Sequence, residues 1–382
     1  MDKTGSTSIQ HSFEGYDDGT LAYARLASSN HSMPVQMLFR DPDRPTRAIR
    51  AQGLDLDEIL AQRALHQADL ETALDGRHDK VLISAEGVLG LKSRQLDDLY
   101  AFLSARSTRI RVMAYVREPM GYASSAFQQG LKAGSHTFHV PRPRYAARLG
   151  EIESVFGREN ITYLRFDPKR FPNGSVVLDF ASQIGARPER INEQRINESL
   201  TQTSAAALYL FNRERQNHAG SRAYFRARVV LIRLLMREDA RQQRRAKALA
   251  AEQAAKRSRP GAALAGLIFN GSARPAPTEA ELRTAKFRFA PSLVHASVME
   301  DDIAWMERRS GLDLMPPDPE RDGSDDDGIR SEEHLLDLAA SAGSYLMPIA
   351  DRFKVTPAND SALAVMNAVF EKMMDQGARP ES

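Results

Sequence analysis

The chain has 382 residues, 42% of them hydrophobic and 27% charged, which is ordinary for a globular protein long enough to bury a sizeable core. Its 52 basic and 50 acidic residues leave a formal net charge of +2, which argues against nucleic acid as a default partner. The absence of cysteine excludes disulfides and thiolate sites, and the sequence has neither a membrane-length apolar run nor a secretory leader pattern. We therefore expect a cytoplasmic protein with no transmembrane segment.

The first distinctive segment, KTGSTS at Lys3–Ser8, has the composition of a phosphate-binding turn. Gly5 would let the backbone approach an anion closely, the hydroxyl residues after it can cap a helix, and Lys3 supplies a positive charge. The alternative is a polar terminus that frays. A nucleoside triphosphate loop is disfavoured, because the Gly-x4-Gly-Lys-Ser/Thr spacing is absent.

A histidine, His31, follows in a polar turn ahead of an apolar segment. It could face a substrate or act as a second acid or base. The alternative is a turn or capping role, since Asn and Ser neighbours build such turns.

Three apolar runs predict β-strands, at Lys80–Ser84, Ile110–Val116 and Ile161–Phe166, and each precedes a segment with helical spacing of apolar residues. Alternating strands and helices predict a parallel sheet covered by helices on both faces. Ligands of such sheets bind at the carboxyl ends of the strands.

Chemically capable residues stand at these strand ends. Glu86 follows the first run, and Arg117 follows the second. Ser125 lies in the helix that begins near Pro119, so Arg117 and Ser125 could hold one phosphate group together. The alternatives are a carboxylate stabilised by a helix N-terminus for Glu86 and a surface ion pair for Arg117.

From about Thr201 the sequence becomes helical, basic and rich in alanine. We predict an α/β nucleotide-binding domain over 1–200 and a mostly helical extension over 201–382, with flexible linkers near 258–278 and 316–330. The basic run 237–259 could bind an anionic acceptor or a membrane surface. A solvated helix face is the alternative, because acidic residues accompany the basic ones and no aromatic residues lie among them.

Taken together, these motifs resemble the sulfotransferases that use 3′-phosphoadenosine 5′-phosphosulfate (PAPS), especially their bacterial and carbohydrate-type branch. The resemblance rests on KTGSTSIQ at Lys3–Gln10, VLISAEGVLGL at Val81–Leu91 and VREPMGYASSAFQQGLKAG at Val116–Gly134, with weaker similarity at DDIAWMERRSGLDL, Asp301–Leu314. It implies a P-loop-like, three-layer α/β/α fold with a central parallel sheet, followed by a helical C-terminal half.

The resemblance also implies roles for individual residues. Glu86 would be the catalytic base, with Lys3 assisting and His31 as a further candidate, and no metal would be required. The acceptor would be a hydroxyl group of a carbohydrate or small molecule. The donor would be held by Lys3, Thr4, Gly5, Ser6, Thr7, Ser8, Arg117 and Ser125.

The sequence departs from this family at its start, where the relatives carry an apolar strand before the lysine and this chain has Met1 and Asp2. We expect either a start further upstream or an impaired copy. Two other functions stay open, namely a phosphotransferase that uses the same turn and a non-catalytic helical interaction protein.

Overall fold

The computed structural model describes residues 3–50, 53–194, 199–216, 221–257, 284–316, 318 and 328–376. Within these ranges the protein is mixed α/β, with short parallel strands in the first half and helices in the second. This confirms the mixed class and the helical C-terminal half that the sequence predicts. The predicted linker 258–278 and most of 316–330 lie outside the described residues.

Internal contacts divide the chain into two compact units, and each unit combines segments that are distant in sequence. Each unit contains segments from both of the domains that the sequence predicts, 1–200 and 201–382. The first unit comprises Met1–Pro119, Arg142–Asn197 and Val298–Met315, and the second comprises Met120–Pro141, Glu198–Ser297 and Pro316–Ser382.

The four strands of the described residues belong to the first unit. The three predicted strands are present in slightly shorter form, as β2 (Lys80–Leu82), β3 (Val112–Val116) and β4 (Ile161–Arg165). A further strand, β1 (Leu21–Tyr23), was missed by the sequence reading because three residues are too few to show a period. β1 pairs in parallel with β2, and β3 pairs in parallel with β4.

The strands form two separate two-stranded sheets, where the sequence predicts one continuous sheet. Apolar side chains nevertheless cover both faces of the strands. Ala114 and Val116 of β3 enter one core, while Tyr115 between them enters another. This alternation places helices on both sides of β3, as a parallel sheet with buried faces requires.

Local capping sets several helix ends in this unit. Asp55 and Glu58 form a capping box at the start of helix Leu56–Ala73, and Ser175 caps helix Val176–Ile184, which is followed by Gly185 in the left-handed conformation with φ 72°. The helices of the first unit are α1 (Ser6–Phe13), α2 (Ser32–Phe39), α3 (Arg47–Arg50), α4 (Leu56–Ala73), α5 (Ser93–Ser104), α7 (Tyr145–Phe156), α8 (Val176–Ile184) and α12 (Glu300–Ser310).

The second unit is helical and contains a buried carboxylate. Asp239 accepts hydrogen bonds from the backbone N–H of Thr201 and from the hydroxyls of Ser204 and Tyr345, and burial raises the pKa of Asp239. These bonds fix the start of helix Gln202–Glu214. The helices are α6 (Pro119–Lys132, of which Pro119 falls in the first unit), α9 (Gln202–Glu214), α10 (Arg222–Arg257), α11 (Pro291–His295), α13 (Glu332–Ser341), α14 (Gly343–Phe353) and α15 (Ala362–Asp375).

We expect Gly343→Ala to destabilise this unit by at least about 1–3 kcal/mol, the usual cost of overpacking. A Cβ atom at Gly343 would overlap the backbone carbonyl oxygen of Asp360, and neither backbone can yield easily. Urea denaturation followed by circular dichroism measures the change. In the control, Gly130→Ala inside α6, the new Cβ lies at an ordinary 3.5 Å from the Cβ of Ser135, so unchanged or slightly increased stability is expected there. Equal effects of the two substitutions would contradict the prediction.

Candidate functional site

The turn that opens α1 has the backbone geometry of an anion-binding loop. Gly5 occupies the N-cap position with φ 75°, and Lys3 is also left-handed, with φ 64°. A Cβ atom at Gly5 would lie 2.7 Å from Cγ1 of Val176 and 3.3 Å from Cε2 of Phe166. The turn therefore needs glycine both for its conformation and for its close packing.

The N-terminus of α1 carries no compensating negative charge of its own. Gly5 provides no side-chain cap, and the first turn of α1 contains no acidic residue. Ser6 and Thr7 are half-buried, so the first turn is partly accessible to solvent. A helix start of this kind, beside Lys3, has the backbone donors and partial positive charge that favour phosphate or sulfate.

Glu86 lies directly against this turn. It begins the 3₁₀ helix Glu86–Gly90 after β2, and its carboxylate accepts a hydrogen bond from the hydroxyl of Ser6. The side chain of Gln10, one turn further along α1, donates to the backbone oxygen of Ser84 at 3.4 Å. These contacts fix the start of α1 at the carboxyl end of β2.

Arg117 reaches the same turn from the end of β3. Its Nη1 donates to the carbonyl oxygen of Lys3 at 2.7 Å, and its guanidinium carbon lies 5.2 Å from the centre of the Phe166 ring. Burial lowers the pKa of the Arg117 guanidinium. The hydroxyl of Tyr145 donates to the backbone oxygen of Arg117 at 2.5 Å and so helps to hold this strand end in place.

The structure thus brings together Lys3–Ser8, Glu86 and Arg117, which the sequence places far apart. All of them lie in the first unit. Ser125 lies on α6, in the second unit. Its pairing with Arg117 on one phosphate stays a prediction.

His31 has no exposed surface and packs against the backbone after β2. It precedes α2, its Nδ1 accepts the N–H of Ser84 at 3.1 Å, and its ring centre lies 4.5 Å from that of Tyr23. Its Nε2 atom is buried without a hydrogen-bond partner among the described residues. Because the ring touches the backbone two residues before Glu86, this geometry favours the turn role of His31 over direct contact with a substrate.

Burial lowers the pKa of His31 to about 4 from an ordinary value of 6.5. The unfolded chain therefore binds a proton at higher pH than the folded one, and stability is lost as the pH falls from about 6.5 towards 4, by at most about 1.4 kcal/mol per pH unit. We expect His31→Gln to flatten this acid loss in urea titrations across that range. His66 and His334 also have lowered pKa values and contribute to the acid loss in both proteins. The contribution of His31 is therefore the difference between the wild-type and His31→Gln curves.

The exposed His11 provides the control for this experiment. His11→Gln is expected to leave the acid dependence of stability unchanged. If His31→Gln and His11→Gln give the same curve as wild type, His31 is not the group that titrates.

The sequence reading missed the residues that support the site. Asp302 of α12 accepts the backbone N–H groups of Tyr145 and Ala146 at 2.8 Å each, which caps α7 and positions Tyr145 against Arg117. Asp302 falls within the segment Asp301–Leu314, and the weak family similarity of that segment was the only sequence feature that pointed to it. Phe166 and Gln10 carried no separate signal, because each also fits an apolar or helical pattern.

Comparison with known proteins adds little to this geometry. No family model matches the chain, and no solved structure matches it. A protein from Archaeoglobus fulgidus, described as uncharacterized, is 26% identical over 140 residues, which is 35% of this chain and 38% of the archaeal protein. The match thus spans well under half of that relative. Among the described residues, no helix has both the length and the apolar character needed to cross a bilayer.

Proposed function

We propose that the protein is a PAPS-dependent sulfotransferase with a P-loop-like sulfotransferase fold, which transfers a sulfuryl group to a hydroxyl of a carbohydrate-type acceptor. The main observation in support of this proposal is that one turn at the start of α1 contacts both a carboxylate and an arginine, which come from two different strand ends. Ser6 donates to Glu86, and the carbonyl of Lys3 accepts from Arg117.

The donor set of the site suits a doubly charged phosphosulfate. Backbone N–H groups at the start of α1, serine and threonine hydroxyls and the Lys3 ammonium are all hydrogen-bond donors to anionic oxygens. Arg117 has five N–H donors in a rigid fork, and its contact with Lys3 uses one nitrogen. The close packing of Gly5 leaves the turn little freedom to adopt another shape.

Each residue has a defined task in this proposal. Glu86 accepts the proton that the acceptor hydroxyl loses as its oxygen bonds to sulfur. Lys3 and the N–H groups of α1 stabilise the negative charge that grows on the leaving phosphate oxygen as its bond to sulfur breaks. Arg117 holds the 3′-phosphate and orients the turn, and the part assigned to Ser125 follows from resemblance alone.

Isothermal titration calorimetry with adenosine 3′,5′-bisphosphate, and separately with ATP plus Mg²⁺, tests the proposal. We expect binding of the bisphosphate and much weaker binding of ATP. Transfer of labelled sulfate from PAPS to a panel of saccharides then tests the reaction. Preference for ATP with Mg²⁺ would indicate a phosphotransferase, and binding of neither nucleotide would favour a non-catalytic interaction protein.

A further inference from the structure

The outward face of α10 carries a straight row of arginines. Arg226, Arg233, Arg237 and Arg244 are all exposed, and they are spaced by about two, one and two helical turns. At 1.5 Å per residue the row runs about 27 Å along one side of the helix. None of the four side chains contacts a carboxylate within the part of the chain that the structure describes.

Two of the three acidic residues of the same helix, Glu238 and Asp239, point inward, and the third, Glu252, is exposed near the end of the helix. Glu238 is fully buried and pairs with Nη2 of Arg352 at 2.9 Å, and Asp239 is 2% exposed and saturated with hydrogen bonds. In the sequence, Glu238, Asp239 and Glu252 offset the basic run 237–259. In the structure Glu238 and Asp239 are buried and Glu252 follows Arg244 by about two helical turns, so the outward face from Arg226 to Arg244 keeps a concentrated positive charge.

Apolar side chains are exposed beside the row. Phe225 is 51% exposed and Val229 is 48% exposed, and helical geometry places both on the same side of the arginines. Exposed apolar groups next to cations on one helix face are the pattern of a surface that binds at a membrane interface.

We propose that this face of α10 docks on an anionic lipid bilayer. A straight row of guanidinium groups can meet a flat layer of lipid phosphates along its whole length. Phe225 and Val229 can enter the boundary between headgroups and acyl chains, whereas a nucleic acid backbone offers them no apolar counterpart. This inference does not depend on the proposed sulfotransferase activity.

Flotation of the full chain with vesicles tests the proposal, using phosphatidylcholine alone and phosphatidylcholine mixed with phosphatidylglycerol. We expect binding to the anionic vesicles only, with loss at high salt. The variant R226Q/R233Q/R237Q/R244Q should bind at least on the order of 100-fold more weakly, since each cation near the surface contributes about fivefold. Phe225→Ser should also weaken binding to the anionic vesicles.

A matched control removes the same charge elsewhere. Arg94, Arg109, Arg111 and Arg308 are exposed, belong to the first unit and have no carboxylate partner among the described residues. R94Q/R109Q/R111Q/R308Q should keep wild-type binding, and circular dichroism should confirm folding of both quadruple variants. The proposal would be overturned if the two quadruple variants lost binding equally. It would also be overturned if the protein bound duplex DNA in preference to anionic vesicles and Phe225→Ser had no effect.

Discussion

Replacing Glu86 by glutamine is expected to lower sulfuryl transfer by roughly 10²- to 10⁴-fold, the range for removal of a general base. Glutamine keeps the size of the side chain and can still accept the hydroxyl of Ser6, but it cannot take a proton from the acceptor. The affinity for adenosine 3′,5′-bisphosphate should therefore stay near the wild-type value. Initial rates with labelled PAPS, together with calorimetry of the bisphosphate, measure the two effects.

Glu14, at the other end of α1, provides a matched control. It is exposed and follows the last residue of the helix, so Glu14→Gln makes the same change of charge about 12 Å from the turn. We expect Glu14→Gln to leave turnover unchanged. Full turnover in the Glu86 variant would exclude Glu86 as the base.

Arg117→Ala is expected to weaken binding of adenosine 3′,5′-bisphosphate by at least about 10- to 100-fold, since a charge-assisted hydrogen bond contributes about 1.5–3 kcal/mol. The substitution removes a cation next to the turn and the donor to the carbonyl of Lys3. Calorimetry with the bisphosphate measures the loss, and the thermal unfolding curve reports whether the variant is folded.

A second nucleotide separates the two roles of Arg117. If the guanidinium holds the 3′-phosphate, the variant should lose much more affinity for the bisphosphate than for adenosine 5′-monophosphate, which has no 3′-phosphate. If Arg117 acts only by orienting the Lys3 turn, both affinities should fall together. Arg63→Ala serves as the control, because Arg63 also donates to backbone carbonyls, those of Met37 and Arg40, away from the turn.

The strand positions could be predicted because each strand is a short, continuous apolar run, and such runs are typical of buried parallel strands. The residues after β2 and β3 could be identified as site candidates because the sequence predicts one parallel sheet, in which the strand ends lie along one edge. The structure brings these residues to one turn although β2 and β3 belong to separate sheets. Which strands pair with each other could not be predicted. Leu21–Tyr23 is too short to show a period, and which edges meet depends on contacts between distant segments.

His31 illustrates a different limit. Its neighbours in the sequence indicate a turn and are compatible with either an exposed or a buried ring. Only the packing of Tyr23 and the backbone of Ser84 around it decides that the ring is buried and its pKa lowered. Likewise, the acidic residues within the basic run 237–259 favour a solvated helix face, because the sequence does not show that Glu238 and Asp239 point inward.

The amino-acid sequence by itself determined the mixed α/β class, the helical second half and the local chemistry of the Lys3–Ser8 turn, because these follow from short-range periodicity and from residue type. Only the tertiary structure decided that Arg117 and Glu86 both meet that turn, and that Glu238 and Asp239 turn away from the arginines of α10. These arrangements depend on contacts between segments far apart in the chain, and the burial that selects them has no local signature in the sequence.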